Sequence, residues 1–149
     1  MINTMLVFVL IIILSVASFI FAASETSIIA LSRIRLRHMV AKGVKKAQSI
    51  QRLSGKLDKF IASILIGNNF VNIALSALVT ALCIPIFGFN LGTLIATFIT
   101  AFFVLIFCEV TPKIFATKHT EKVSLFVAPI MEGFVKFIDP VTRLFIWIS

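Results

Sequence analysis

Three short polar clusters interrupt otherwise apolar sequence, and each carries oxygen atoms that could do chemistry. In Gly67-Asn68-Asn69-Phe70-Val71-Asn72 three amides fall within five residues. A spacing of four puts Asn68 and Asn72 on one helix face, and Gly67 lets a neighbouring backbone come close. Where water is absent every amide needs a partner or a purpose, so the pattern reads either as hydrogen bonding between helices or as a set of ligand oxygens. In the second cluster, Glu109-Val110-Thr111-Pro112-Lys113, the carboxylate follows seven apolar residues. Such an acid suits a hard cation or a proton-linked group, while Lys113, four residues on, offers the alternative of a structural ion pair. Pro112 has no N–H to give the carbonyl of Cys108, which would leave a backbone oxygen free beside Glu109. Carboxylate and carbonyl oxygens together are what Mg²⁺, Ca²⁺ or Na⁺ coordinate. The third cluster, Ser24-Glu25-Thr26-Ser27, adds hydroxyls and an acid, with pairing of Glu25 to Arg33 or another nearby cation as its plain structural role.

The elements that must position these groups follow from the charge map. Of 149 residues 60% are apolar and 13% charged, far from the roughly one quarter charged of a soluble domain. Residues 1–24 and 60–108 contain no charge at all. About 20 helical residues cross a hydrocarbon core of roughly 30 Å, so the first run holds one crossing and the second two. Spans are predicted over about 2–30, 60–84 and 91–111, with Pro85, Gly88, Asn90 and Gly92 forming the turn between the last two. The leader before Met5 lacks a positive charge and the following apolar stretch exceeds a signal-peptide core, so the first span reads as retained.

Residues 31–59 hold nine Lys or Arg against Asp58 alone, and thereby account for the whole net charge of +8. Without Tyr or Trp for base stacking, and lying between two spans, this is not a nucleic-acid surface. It reads as a basic juxtamembrane helical hairpin, broken near Gly43 and Gly55, whose positive charge assigns it to the cytoplasmic side and sets it against anionic headgroups. The N-terminus then lies outside and the C-terminus in the cytoplasm. In the last stretch, about 123–149, Glu132, Lys136, Asp139 and Arg143 recur at helical spacing. This predicts an amphipathic interfacial helix that keeps its charged stripe wet and bends at Pro129 and Pro140.

The predicted fold is thus an all-α membrane domain of three transmembrane helices, a basic hairpin and a trailing interfacial helix. Other chemistries find no support. His38 and His119 stand alone in basic segments, and Cys83 and Cys108 lie in apolar runs as small buried hydrophobes, so no zinc or copper site is indicated. Neither a phosphate-binding glycine loop nor a nucleophile–base pair is present, so the chain does not read as an enzyme.

Phe21-Ala-Ala-Ser-Glu-Thr26, Leu31-Ser-Arg-Ile-Arg-Leu-Arg-His38, Ile64-Leu-Ile-Gly-Asn-Asn-Phe-Val-Asn72 and Phe107-Cys-Glu-Val-Thr-Pro-Lys113 together resemble the transmembrane domain of the CorC/CNNM (cyclin M) magnesium transporters. The resemblance implies a homodimer in the plasma membrane and a cytoplasm-facing cavity for a dehydrated Mg²⁺. It also implies Mg²⁺ export coupled to Na⁺ entry, with cytoplasmic CBS modules that are absent from this chain. The implied metal ligands are Ser24, Asn68, Asn72 and Glu109, with the backbone at Gly67 and, more weakly, Asn69. Some members carry Ser at the place of Ala22, which leaves open which hydroxyl of the first helix is the ligand. The alternative function is a membrane Mg²⁺ sensor or scaffold that signals to an attached domain without transport.

Overall fold

The structure, a computed structural model, describes residues 3–148, and these are helical almost throughout, with no strand among them. Helix α1 spans Thr4–Ala30, and its first turn is capped by Asn3, whose Oδ1 accepts from the Met5 N–H at 3.4 Å. The predicted start at residue 2 lies outside the described residues. Two short helices follow, α2 over Arg33–Ala41 and α3 over Lys45–Ser54. Between them Gly43 takes φ 77°, a conformation that side chains with a Cβ resist. Helix α4 then runs Leu57–Phe87, and α5 covers Phe89–Phe103. A π-helical segment, Val104–Val110, joins α5 without a break to α6, Thr111–Lys118. Helix α7 closes the chain over Thr120–Ile148.

Three helices are long and apolar enough to cross a membrane: Thr4–Ala30, Leu57–Phe87 and the continuous Phe89–Lys118. The number of spans matches the sequence expectation, but their limits differ. Pro85 lies inside α4 rather than in the turn, and reversal of direction is accomplished at Gly88 alone, where φ is 79°. So sharp a corner requires the two helices to touch immediately. Gly92 permits it, since a Cβ there would lie 2.9 Å from the carbonyl oxygen of Cys83 and from the Cα of Ile84. The third span also outruns its predicted end at 111, because the π turn absorbs the disturbance at Pro112 and lets the helix continue to Lys118.

The interior at the hairpin end of the bundle is apolar and close-packed. Leu36 and Met39 of α2 and Ala47, Ile50 and Leu53 of α3 form one cluster with Val123, Val127, Ala128 and Met131 of α7 and Phe60 and Ile64 of α4. Helix α7 therefore lies across α1, α3 and α4. Its charged stripe is only half wet: Lys136 and Arg143 are exposed as the spacing predicts, whereas the two acids turn toward the neighbouring helices. Glu132, 14% exposed at its side chain, accepts from Arg52 Nε and Nη2 of α3 at 2.7 and 3.0 Å, and Asp139 pairs with Lys59 of α4. The acids of the stripe face the basic hairpin, and opposite charge satisfies them where solvent cannot. Buried Ser63 and Thr142, with hydroxyls 3.1 Å apart, add a second polar tie between α4 and α7.

Candidate metal centre

The Asn68–Asn72 face of α4 meets α1 at a residue that the motifs did not single out. Ser18 is fully buried, and its Oγ lies 2.9 Å from Asn68 Oδ1 and 2.9 Å from Asn72 Oδ1. Three oxygens thus converge on a spot where a single hydroxyl hydrogen can serve only one of the two amides. The remaining oxygen–oxygen contact calls either for an amide turned to offer its NH₂ or for a cation.

The third span reaches the same level of the bundle through its π segment. Cys108 is buried, and its Sγ sits 3.9 Å from the Ser15 carbonyl of α1. At the end of the segment both the backbone N–H and the hydroxyl of Thr111 go to the Ile106 carbonyl, the hydroxyl at 2.7 Å. That five-residue ring rotates the helix beyond it relative to an unbroken α-helix, and such π turns recur at functional sites. Glu109, inside the segment and half-buried, lines an open cleft of about 480 Å³ together with Asn72, Ser76, Thr97 and Thr100. Thr100 is 6% exposed, and its hydroxyl finds no partner among the described residues.

Among the described residues Glu109 makes neither an ion pair nor a side-chain hydrogen bond. The cation that could have neutralised it from the next turn, Lys113, instead places its Nζ 3.9 Å from Glu25 Oε2 on α1. The cleft therefore holds an uncompensated carboxylate next to neutral oxygens. No group of three or more His, Cys, Asp or Glu side chains occurs among the described residues. One carboxylate with amide and hydroxyl oxygens in the same cleft is a donor set that suits a hard cation rather than zinc.

The other sequence candidates fall elsewhere. Ser24 is fully buried, but its hydroxyl donates to its own helix at the Ile20 carbonyl, 2.5 Å away, about 9 Å of helical rise from Ser18. Gly67 packs its Cα against aromatic rings: a Cβ would come within 2.7 Å of Phe134 Cζ and 2.9 Å of Phe21 Cζ, the two rings being 4.8 Å apart. Asn69 is exposed on a different face of α4 from Asn68. Ser18 and Thr100 are the additions, hydroxyls in otherwise apolar runs.

This architecture, with its polar cluster between the helices, defines a multi-pass all-α membrane domain. The chain belongs to the family of cyclin M transmembrane N-terminal domains, which matches residues 9–149. It is 40% identical over 131 residues to the UPF0053 inner membrane protein YfjD of Escherichia coli, covering 83% of this chain and 30% of that protein. A UPF0053 protein of Haemophilus influenzae is 38% identical over 137 residues, covering 92% of this chain and 32% of the relative. A chloroplastic DUF21 domain-containing protein of Arabidopsis thaliana is 30% identical over 141 residues, 95% of this chain and 21% of the relative. The chain thus spans about a third or less of the length of these curated relatives.

Proposed function

We propose that this chain is the ion-translocating domain of a Mg²⁺ transporter, exporting Mg²⁺ in exchange for Na⁺. The observation that carries the reading is the convergence of Ser18 Oγ, Asn68 Oδ1 and Asn72 Oδ1, together with the cleft that Asn72 shares with Glu109, a carboxylate without an ion pair among the described residues. Cytoplasmic Mg²⁺ enters the cleft, exchanges water for amide, hydroxyl and carbonyl oxygens, and finds in Glu109 the one formal charge that holds it. Mg²⁺ gives up water reluctantly, and neutral dipoles already aimed at one point lower that cost. Na⁺ competes for the same carboxylate, which couples the two fluxes without ATP hydrolysis in the membrane. The basic hairpin faces the cytoplasm, so the N-terminus is outside and the C-terminus inside the plasma membrane. A homodimer, which the family resemblance implies, would find in Ala77 and Ala81, exposed on α4, small residues that suit close approach of a second copy. Cytoplasmic CBS modules would occupy the part of the relatives that this chain does not cover.

In proteoliposomes loaded with Mg²⁺, the wild-type protein is expected to release the ion down its gradient, and Glu109→Gln to abolish the flux. A second reading draws on the length of the relatives: with most of each relative lying beyond this domain, the same pocket would sense Mg²⁺ and report to an attached module. Saturable Mg²⁺ binding without flux supports the sensor and rejects the transporter.

A further inference from the structure

We propose that the corner between α3, α4 and α7 is a specific site for the phosphate headgroup of an anionic membrane lipid. This inference is independent of the transported ion. A cavity of about 500 Å³ opens there, with Leu53, Phe60 and Val135 among its walls. Its charged lining consists of five cations, Arg52, Lys56, Lys59, Lys136 and Arg143, against only Glu132 and Asp139. Each carboxylate already holds two cations. Glu132 takes Arg52 and, at 3.3 Å, Lys136, while Asp139 takes Lys59 and, at 2.7 Å, Arg143 Nη2. Lys56 has no ion pair among the described residues. Two acids shared among four cations, with a fifth unshared, leave a local positive excess that favours an anion in this half-open cavity.

The position selects the source of that anion. Helix α4 is about 46 Å long at 1.5 Å per residue, well beyond the hydrocarbon thickness of roughly 30 Å, so its charged start at Asp58 and Lys59 reaches headgroup depth. Lys136 and Arg143, 76% and 74% exposed, rim the cavity on α7. A phosphodiester seated among these cations at headgroup depth leaves its acyl chains free to enter the bilayer, an arrangement a soluble phosphate cannot use. Arginine and lysine both suit phosphate oxygens, Arg by its planar fork and Lys as a point charge.

The test is native mass spectrometry of the protein released from nanodiscs containing equal phosphatidylglycerol and phosphatidylcholine. The wild type is expected to retain phosphatidylglycerol preferentially. The Lys56→Gln, Lys136→Gln, Arg143→Gln triple variant should lower that retention about tenfold, and Lys56→Gln alone, which breaks no ion pair, should lower it part-way. Charge-conserving replacements (Lys56→Arg, Lys136→Arg, Arg143→Lys) should keep it, which separates lost charge from lost folding. Removing three exposed cations elsewhere on the hairpin (Arg37→Gln, Lys45→Gln, Lys46→Gln) should leave it unchanged. Equal loss in that control, absence of headgroup preference in the wild type, or equally tight binding of glycerol 3-phosphate in lipid-free detergent would each overturn the assignment.

Discussion

Lys113 reaches across to Glu25 on α1, Nζ to Oε2 3.9 Å, and not back one turn to Glu109 on its own helix. The pair is half exposed and long, so its direct contribution to stability is below about 1 kcal/mol. Its consequence is electrostatic placement: the ammonium is drawn toward α1, and Glu109 is left without an ion pair among the described residues.

Glu25→Gln therefore weakens Mg²⁺ binding severalfold although Glu25 is not a ligand, because Lys113 is released toward Glu109. The double variant Glu25→Gln, Lys113→Gln recovers wild-type affinity. Isothermal titration of the four proteins gives the coupling directly, and additive effects would show that Lys113 does not act through Glu109.

Ser18→Ala removes one of three converging oxygens and is expected to reduce Mg²⁺ affinity about tenfold, equivalent to about 1.4 kcal/mol. Apo-state thermal stability should hardly change, since the alanine leaves the amides free to pair with each other. If the cluster serves only to bind helices together, the result inverts, with the melting temperature falling and the affinity unaltered.

Spacing alone made Asn68 and Asn72 legible as a shared face, and an acid after seven apolar residues made Glu109 legible. Ser18 was not legible in this way, because one hydroxyl in an apolar helix usually satisfies itself on the preceding turn, as Ser15 does on the Ile11 carbonyl. Its depth in the bundle marks it instead. Ser18 lies twelve residues from the hairpin end of α1, and Asn68 and Asn72 lie eleven and fifteen from the hairpin end of α4, so antiparallel packing brings them level. Ser24 carries the motif resemblance but sits nearer the hairpin. The partners of Glu132 and Asp139 are set by how α7 crosses α3 and α4, which no local spacing encodes. Pro112 hinted at a broken ladder, yet the π segment that answers it begins eight residues earlier, at Val104.

Gly67→Ala tests the close approach of α7 to the bundle. The new methyl would overlap Phe134 Cζ and Phe21 Cζ, so destabilisation of about 1–3 kcal/mol is expected from overpacking. Combining it with Phe134→Leu should recover only part of the loss, since the Phe21 ring still meets the methyl. Thermal unfolding in detergent measures both.

Hydrogen bonds from the Arg52 guanidinium, followed by lesser contributions from Ser49 and Lys136, hold the Glu132 carboxyl well below its ordinary 4.5, at about 2, against the opposing effect of burial. A carboxylate with a depressed folded-state value contributes stability that is fully present above the unfolded value and is lost as pH falls through the folded one. The wild type should therefore lose stability between about pH 4.5 and pH 2, and Glu132→Gln should flatten that part of the profile. An unchanged profile in the variant would mean that the Arg52–Glu132 pair does not anchor α7.

The central claim is decided most directly by crystals grown with Mn²⁺ in place of Mg²⁺ and measured at the manganese absorption edge. One anomalous peak is expected between α1, α4 and the π segment, about 2.0–2.4 Å from oxygens of Asn68, Asn72 and Glu109, the range for hard divalent ions. A peak elsewhere, or none with an Asn68 or Asn72 amide turned to donate its NH₂ to Ser18, would contradict it.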